Sequence, residues 1–200
     1  MSKTENKVIF IGNSGVGKTN LIKVSVGENF DPARLTTSSV SYRERIFIFE
    51  KKKYIFNLWD TISQEKYKSI TKHFLLGSQI VLFVYDISDK VSFKELNYWI
   101  ELVEKELGKA NESFIMGIIG NKKDLYQNME VEEEEGKKIA ELYNAKFALT
   151  SAKDDPESIN NFLDILFEDY IRKNSGRPKS TKGQKITVKN PTKNQKRRFC

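Results

Sequence analysis

Between residues 7 and 19 the chain reads KVIFIGNSGVGKT, and no other stretch limits its fold as tightly. Val8 to Ile11 form an apolar run that ends in Gly12 and reads as a strand. Gly12 to Thr19, GNSGVGKT, fits G-x-x-x-x-G-K-[ST], and GKTNLIKVSV reads as the helix that follows. Strand, glycine-rich turn and helix in that order make an anion site. Gly12, Gly15 and Gly17 let backbone N–H groups of the loop, including those of Asn13, Ser14 and Val16, turn inward around phosphate oxygens. Lys18 reaches the terminal phosphates, Thr19 offers a hydroxyl to Mg²⁺, and the helix N-terminus adds its dipole. An accidental glycine turn would give this match in a chain of this size on the order of 1% of the time.

The remaining chain alternates strand-like and helix-like segments. Val40–Phe49 and Tyr54–Trp59 alternate in polarity and read as a hairpin around the turn Glu50–Lys53. Ile80–Ser88 is a buried strand, and Ser92–Leu107 is an amphipathic helix with Phe93, Leu96, Trp99, Ile100, Val103 and Leu107 on one face. Another buried strand, FIMGIIGN, precedes a helix near Glu132–Tyr143 with an acidic start. AKFALTS is the last strand, and Pro156 opens a helix to about Lys173. The expected fold class is α/β: a six-stranded, mainly parallel sheet with one antiparallel edge strand and helices on both faces.

Two later motifs choose the nucleotide. GNKKD (Gly120–Asp124) and TSAK (Thr150–Lys153) each follow a strand, so both belong at the carboxyl edge of the sheet, beside the phosphate loop. A carboxylate at Asp124 can accept two hydrogen bonds from guanine, a pair that adenine cannot supply. Leaving it unpaired disfavours adenine by on the order of 10⁴-fold. Asn and Asp in a polar turn are commonly turn formers, so the order of the three motifs carries the inference.

With these residues in place the chain resembles the Ras superfamily of small GTPases from about Lys7 to Lys173. The resemblance implies a P-loop NTPase G domain over residues 1–173 that binds GTP or GDP with Mg²⁺. It implies that Asn121, Lys122, Asp124, Ser151, Ala152 and Lys153 hold guanine, with Phe30 beside the base. It places Thr19, Thr37 and Asp60 at Mg²⁺ and gives Gln64, in WDTISQE, the role of orienting the attacking water, with Lys18 stabilising the transferred phosphoryl group. Within the superfamily, QEKYKSITKHFLLGSQIVLFVYDIS and LNYWIELV resemble Rab proteins, whose surface aromatic triad falls on Tyr42, Trp59 and Phe74. Core packing is the other reading of those three. A Rab likeness implies effectors, an exchange factor and an activating protein, a monomeric chain with no nucleic-acid partner, and a vesicle-trafficking role.

Two positions depart from the Rab pattern. Ile62-Ser63 stand where the family has Ala-Gly before the glutamine, and Thr37-Ser38-Ser39-Val40 where it has Thr-Ile-Gly-Val. Ser63 keeps an N–H for the γ-phosphate, yet a Cβ makes any state with positive φ cost about 1 kcal/mol or more. Two readings stand: a slow GTPase that cycles between states, and a nucleotide-locked binding module that does not hydrolyse. A phosphate-loop kinase or ATPase conflicts with Asp124.

Charge sets the tail apart. The formal net charge is +7, but residues 174–200 contain nine Lys or Arg and no acid. Residues 1–173 then hold 25 basic against 27 acidic residues, a net charge of −2. A segment so polar is expected to be disordered. It ends KNQKRRFC, and Cys200, the one cysteine, is the candidate for the prenyl group that Rab proteins carry. One lipid chain anchors marginally, and Lys193, Lys196, Arg197 and Arg198 would add a basic signal. The expected location is cytoplasmic, on the cytosolic face of vesicles or organelles. A nucleic-acid or nuclear-import tail and an unmodified chain are the rivals.

Overall fold

The computed structural model describes residues 6–32, 41–61, 72–110 and 114–175. Its six strands lie in the order β2-β3-β1-β4-β5-β6. They are β1 (Asn6–Ile11), β2 (Ser41–Phe49), β3 (Lys52–Asp60), β4 (Ser78–Asp86), β5 (Ile115–Asn121) and β6 (Lys146–Leu149). Only β2 with β3 pairs antiparallel; every other neighbour is parallel. The helices are α1 (Lys18–Ser25), α2 (Lys72–Leu75), α3 (Lys90–Lys94), α4 (Leu96–Leu107), α5 (Glu133–Leu142) and α6 (Pro156–Ser175). The sheet and its one antiparallel edge are those expected from the sequence.

Alternate side chains of β1 feed two cores. Val8 and Phe10 pack with Leu21 and Ile22 of α1 and with Phe162, Leu163 and Phe167 of α6. Ile9 and Ile11 pack with Leu96, Trp99, Ile100 and Val103 of α4 on the other face. All four β1 residues are fully buried, which is why this strand reads as continuous apolar sequence. Each such side chain contributes about 1.5–3 kcal/mol. Among the described residues no helix is long and apolar enough to cross a membrane.

Two of the differences from the sequence expectation have a specific physical reason. The hairpin turn is two residues, Glu50 (φ 48) and Lys51 (φ 63), with Phe49 paired to Lys52. Positive φ at both central positions is the turn that matches strand twist. The uniformly polar run Glu50–Lys53 hid it, because Lys52 and Lys53 are exposed although they pair in β3. The long amphipathic helix is divided at Glu95, whose ψ of −7 breaks the regular helical geometry. Its first part begins at Asp89, whose carboxylate accepts from the Val91 N–H at 2.9 Å.

Candidate functional site

The phosphate loop runs from the end of β1 into α1. Gly12 sits at φ 148, and a Cβ there would lie 2.1 Å from the Val84 carbonyl oxygen. No other residue fits. Gly17 caps α1 in the left-handed region at φ 98, with no side chain on the helix N–H groups and no acid in the first turn. Those donors therefore face the loop. Lys18 is almost fully buried, and its ammonium donates to the carbonyls of Gly12 and Asn13 at 2.8 and 2.7 Å. Burial lowers its pKa to about 7, with Asp60 pulling the other way. A buried ammonium ringed by neutral carbonyls is a receptor for phosphate charge.

β3 delivers Asp60 beside this loop, in register with Phe10 of β1. The Thr19 hydroxyl donates to Asp60 Oδ2 at 2.7 Å. Thr61 fixes the end of the strand by donating to the Phe10 carbonyl at 2.8 Å. Hydroxyl and carboxylate oxygens side by side are hard donors, and they fit Mg²⁺.

The base-reading residues converge on the same edge. The Asn121 amide donates to the Val16 carbonyl at 2.8 Å, and Thr150 Oγ1 donates to Asn121 Oδ1 at 3.1 Å. Asn121, expected at guanine, is thus 2% exposed and braces the phosphate loop. Lys122 adopts φ 65, and its ammonium pairs with Asp86 Oδ2 at 2.7 Å. Ser151 Oγ donates to Asp124 Oδ1 at 2.6 Å, which aims the carboxylate. Ala152 is buried, while Lys153 is exposed beside Asp154. Phe30 is half-buried against the α1–α6 core. The segment holding it is fastened by Asn20, which donates to the Asp31 carbonyl at 3.0 Å and accepts from the Asp31 N–H at 3.1 Å.

Thr37, Ser38, Ser39, Ile62, Ser63, Gln64 and Cys200 lie outside the described residues. The three aromatics do meet. Tyr42 and Trp59 are register partners with rings 4.9 Å apart, and Trp59 meets Phe74 edge-on at 5.8 Å. Tyr42 is 49% exposed, whereas Trp59 and Phe74 also pack on the α4 core.

Three residues join the site without having been singled out for it. Trp99 Nε1 donates to Asn13 Oδ1 at 2.8 Å, carrying α4 to the phosphate loop. Its place on an apolar helix face showed burial and concealed the polar contact. Asp86 holds Lys122 and also accepts from the N–H and hydroxyl of Ser88 at 2.9 and 2.7 Å. Lys7 lies 5.0 Å from the Trp59 ring and 4.8 Å from that of Phe74, and donates to the Phe74 carbonyl. Burial lowers its pKa.

Comparison with known proteins agrees with this geometry. The Ras family model matches residues 7–171. The chain is 33% identical to the Ras-related protein Rab-13 of Bos taurus, over 86% of this chain and 82% of that protein. It is 34% identical to the Ras-related protein Rab-11B of Dictyostelium discoideum, over 80% and 73%. It is 30% identical to the Ras-related protein SEC4 of Candida albicans, over 85% and 81%. With the phosphate loop, the Thr19–Asp60 pair and the Asp124–Ser151 pair on one sheet edge, the chain belongs to the Ras family of small GTPases and is related to its Rab proteins.

Proposed function

We propose that this chain is a Rab-type switch that binds GTP and GDP with Mg²⁺, hydrolyses GTP slowly, and acts in vesicle trafficking on cytosolic membrane surfaces. The observation that carries the reading is the convergence of Lys18, the Thr19–Asp60 pair and the Ser151-oriented Asp124 on one edge of the sheet.

Each described residue of the site has a part that its surroundings suit. Lys18 exchanges the Gly12 and Asn13 carbonyls for phosphate oxygens and regains full charge in doing so. Thr19, Thr37 and Asp60 would hold Mg²⁺, which would supply charge neutralisation at the phosphate oxygens. Asp124 accepts from guanine, and Ser151 keeps it in place. Lys122 lies over the base. Gln64 orients water for attack, and the rest of the rate enhancement is positioning and electrostatics. Tyr42, Trp59 and Phe74 face effectors, an exchange factor and an activating protein control the state, and lipidated Cys200 with its basic neighbours holds the membrane.

The second reading is a nucleotide-locked module, favoured by Ile62-Ser63 in place of Ala-Gly. Single-turnover hydrolysis of preloaded GTP separates the two. Turnover abolished by Gln64→Leu and little changed by Ser63→Gly supports the cycling switch. No turnover in the parent, with GTP tightly held and Ser63→Gly restoring hydrolysis, establishes the locked module instead.

A further inference from the structure

The β2–β3 hairpin carries a surface that the nucleotide site does not use. β3 runs parallel to β1, so Lys52 begins at the end of the sheet opposite the phosphate loop. The last turn of α6 reaches the same end, where the Arg172 guanidinium lies 4.9 Å from the Phe49 ring. On one face of the hairpin Phe47 and Phe56 pack against Phe167 of α6. Toward the turn, the other face is open among the described residues. There Ile46 is 55% exposed and Ile48 is 71% exposed, opposite Ile55 and Lys53.

The tip next to this apolar row is basic. Lys51, Lys52 and Lys53 are all exposed, and their side chains make no hydrogen bond or ion pair among the described residues. Glu50 is the one acid at the turn. The nearby acids of α6 are matched: Glu168 with Arg172 at 2.6 Å and Asp169 with Lys146 at 3.4 Å. The turn that projects the tip holds two non-glycine residues at positive φ, as a two-residue hairpin of this kind requires.

Lysines beside a sheet edge commonly guard against pairing with other chains, and β2 is the edge strand that these three flank. That accounts for the lysines and leaves two neighbouring isoleucines in water unexplained. A second copy docked tip to tip would cover the isoleucines but bring together two like-charged tips, each with three lysines and one acid at the turn. An anionic lipid leaflet satisfies both, because headgroups pair the ammonium groups while the isoleucines enter the interface.

We propose that the β2–β3 hairpin tip is a membrane-contacting element, in which Lys51, Lys52 and Lys53 bind an anionic leaflet and Ile46 and Ile48 enter its headgroup region. This extends the membrane location proposed above and does not require lipid on Cys200. It also sets an orientation, with the phosphate loop facing away from the leaflet.

The test is co-sedimentation of the unlipidated full chain with phosphatidylcholine vesicles, with and without phosphatidylserine. Replacing all three lysines (Lys51→Gln, Lys52→Gln, Lys53→Gln) should weaken partitioning to the anionic vesicles by on the order of 100-fold, from about fivefold per charge. Ile48→Ser should weaken it severalfold. An environment-sensitive dye on Ile48→Cys, in a Cys200→Ser background, should shift to the blue with anionic vesicles, and a dye on Tyr126→Cys should not. Equal binding by the parent and by a folded triple-glutamine variant would overturn the proposal and assign binding to the tail. A change in oligomeric mass with no vesicle binding would overturn it in favour of a second copy. Nucleotide affinity of the same variants, measured alongside, shows whether the switch reading stands or falls separately.

Discussion

Asn121, the last residue of β5, donates its amide to the backbone carbonyl of Val16 across 105 residues of sequence, at 2.8 Å. The same side chain accepts from Thr150 at 3.1 Å. One buried amide therefore links the phosphate loop to both base-reading loops. Asn121→Ala leaves the Val16 carbonyl and the Thr150 hydroxyl without this partner, and a buried group so stranded costs about 1–3 kcal/mol. Gly17→Ala attacks the same link from the other side, since its Cβ would lie 2.3 Å from Asn121 Nδ2. Both variants should unfold at lower urea and release nucleotide faster. Wild-type dissociation rates for both would show the link to be idle.

Lys18 makes nucleotide binding and stability depend on pH. Burial holds its pKa at about 7, below the unfolded value of 10.5. Above about pH 7 the folded, nucleotide-free chain therefore binds fewer protons at Lys18 than the unfolded chain does. The Lys18 contribution then stabilises the fold increasingly from about pH 7 to 10.5 and is unfavourable below that window. Phosphate restores the charge, so nucleotide binding at pH 8 should take up a proton. Calorimetry in two buffers of different ionisation enthalpy measures the uptake. Lys18→Met should remove both the uptake and the pH slope, and it should stabilise the nucleotide-free chain at neutral pH while abolishing tight binding.

Trp99→Phe keeps the apolar bulk of α4 and deletes the donor to Asn13. The stability loss should be about 1 kcal/mol. Because Asn13 belongs to the phosphate loop, dissociation of a fluorescent GDP should also quicken severalfold. A stability loss with no change in dissociation would restrict Trp99 to packing.

Lys7→Met should loosen the aromatic triad. The ammonium lies against the rings of both Trp59 and Phe74, and such contacts contribute about 0.5–2 kcal/mol. Trp59 fluorescence should change and its quenching by acrylamide should rise, with GDP affinity unchanged. An unaltered quenching constant would mean that the triad is held by its own packing.

The sequence by itself determined which edge of the sheet carries the chemistry. Continuous apolar runs such as Val8–Ile11 and Ile115–Ile119 read as strands covered on both faces, and a motif follows each of these two at its carboxyl end. That places GNSGVGKT, GNKKD and TSAK on one edge of the sheet. Local pattern could not tell that Asn121 turns to Val16, that Trp99 reaches Asn13, or that Lys7 lies against Trp59 and Phe74. Those contacts join residues 105, 86 and about 52 to 67 positions apart. Periodicity reports which face of an element is buried; which polar atom meets which across that buried space depends on how the helices settle on the sheet. The same holds at the hairpin, where EKKK showed a turn, and only strand pairing decided that two of its lysines belong to β3 beside an uncovered row of isoleucines.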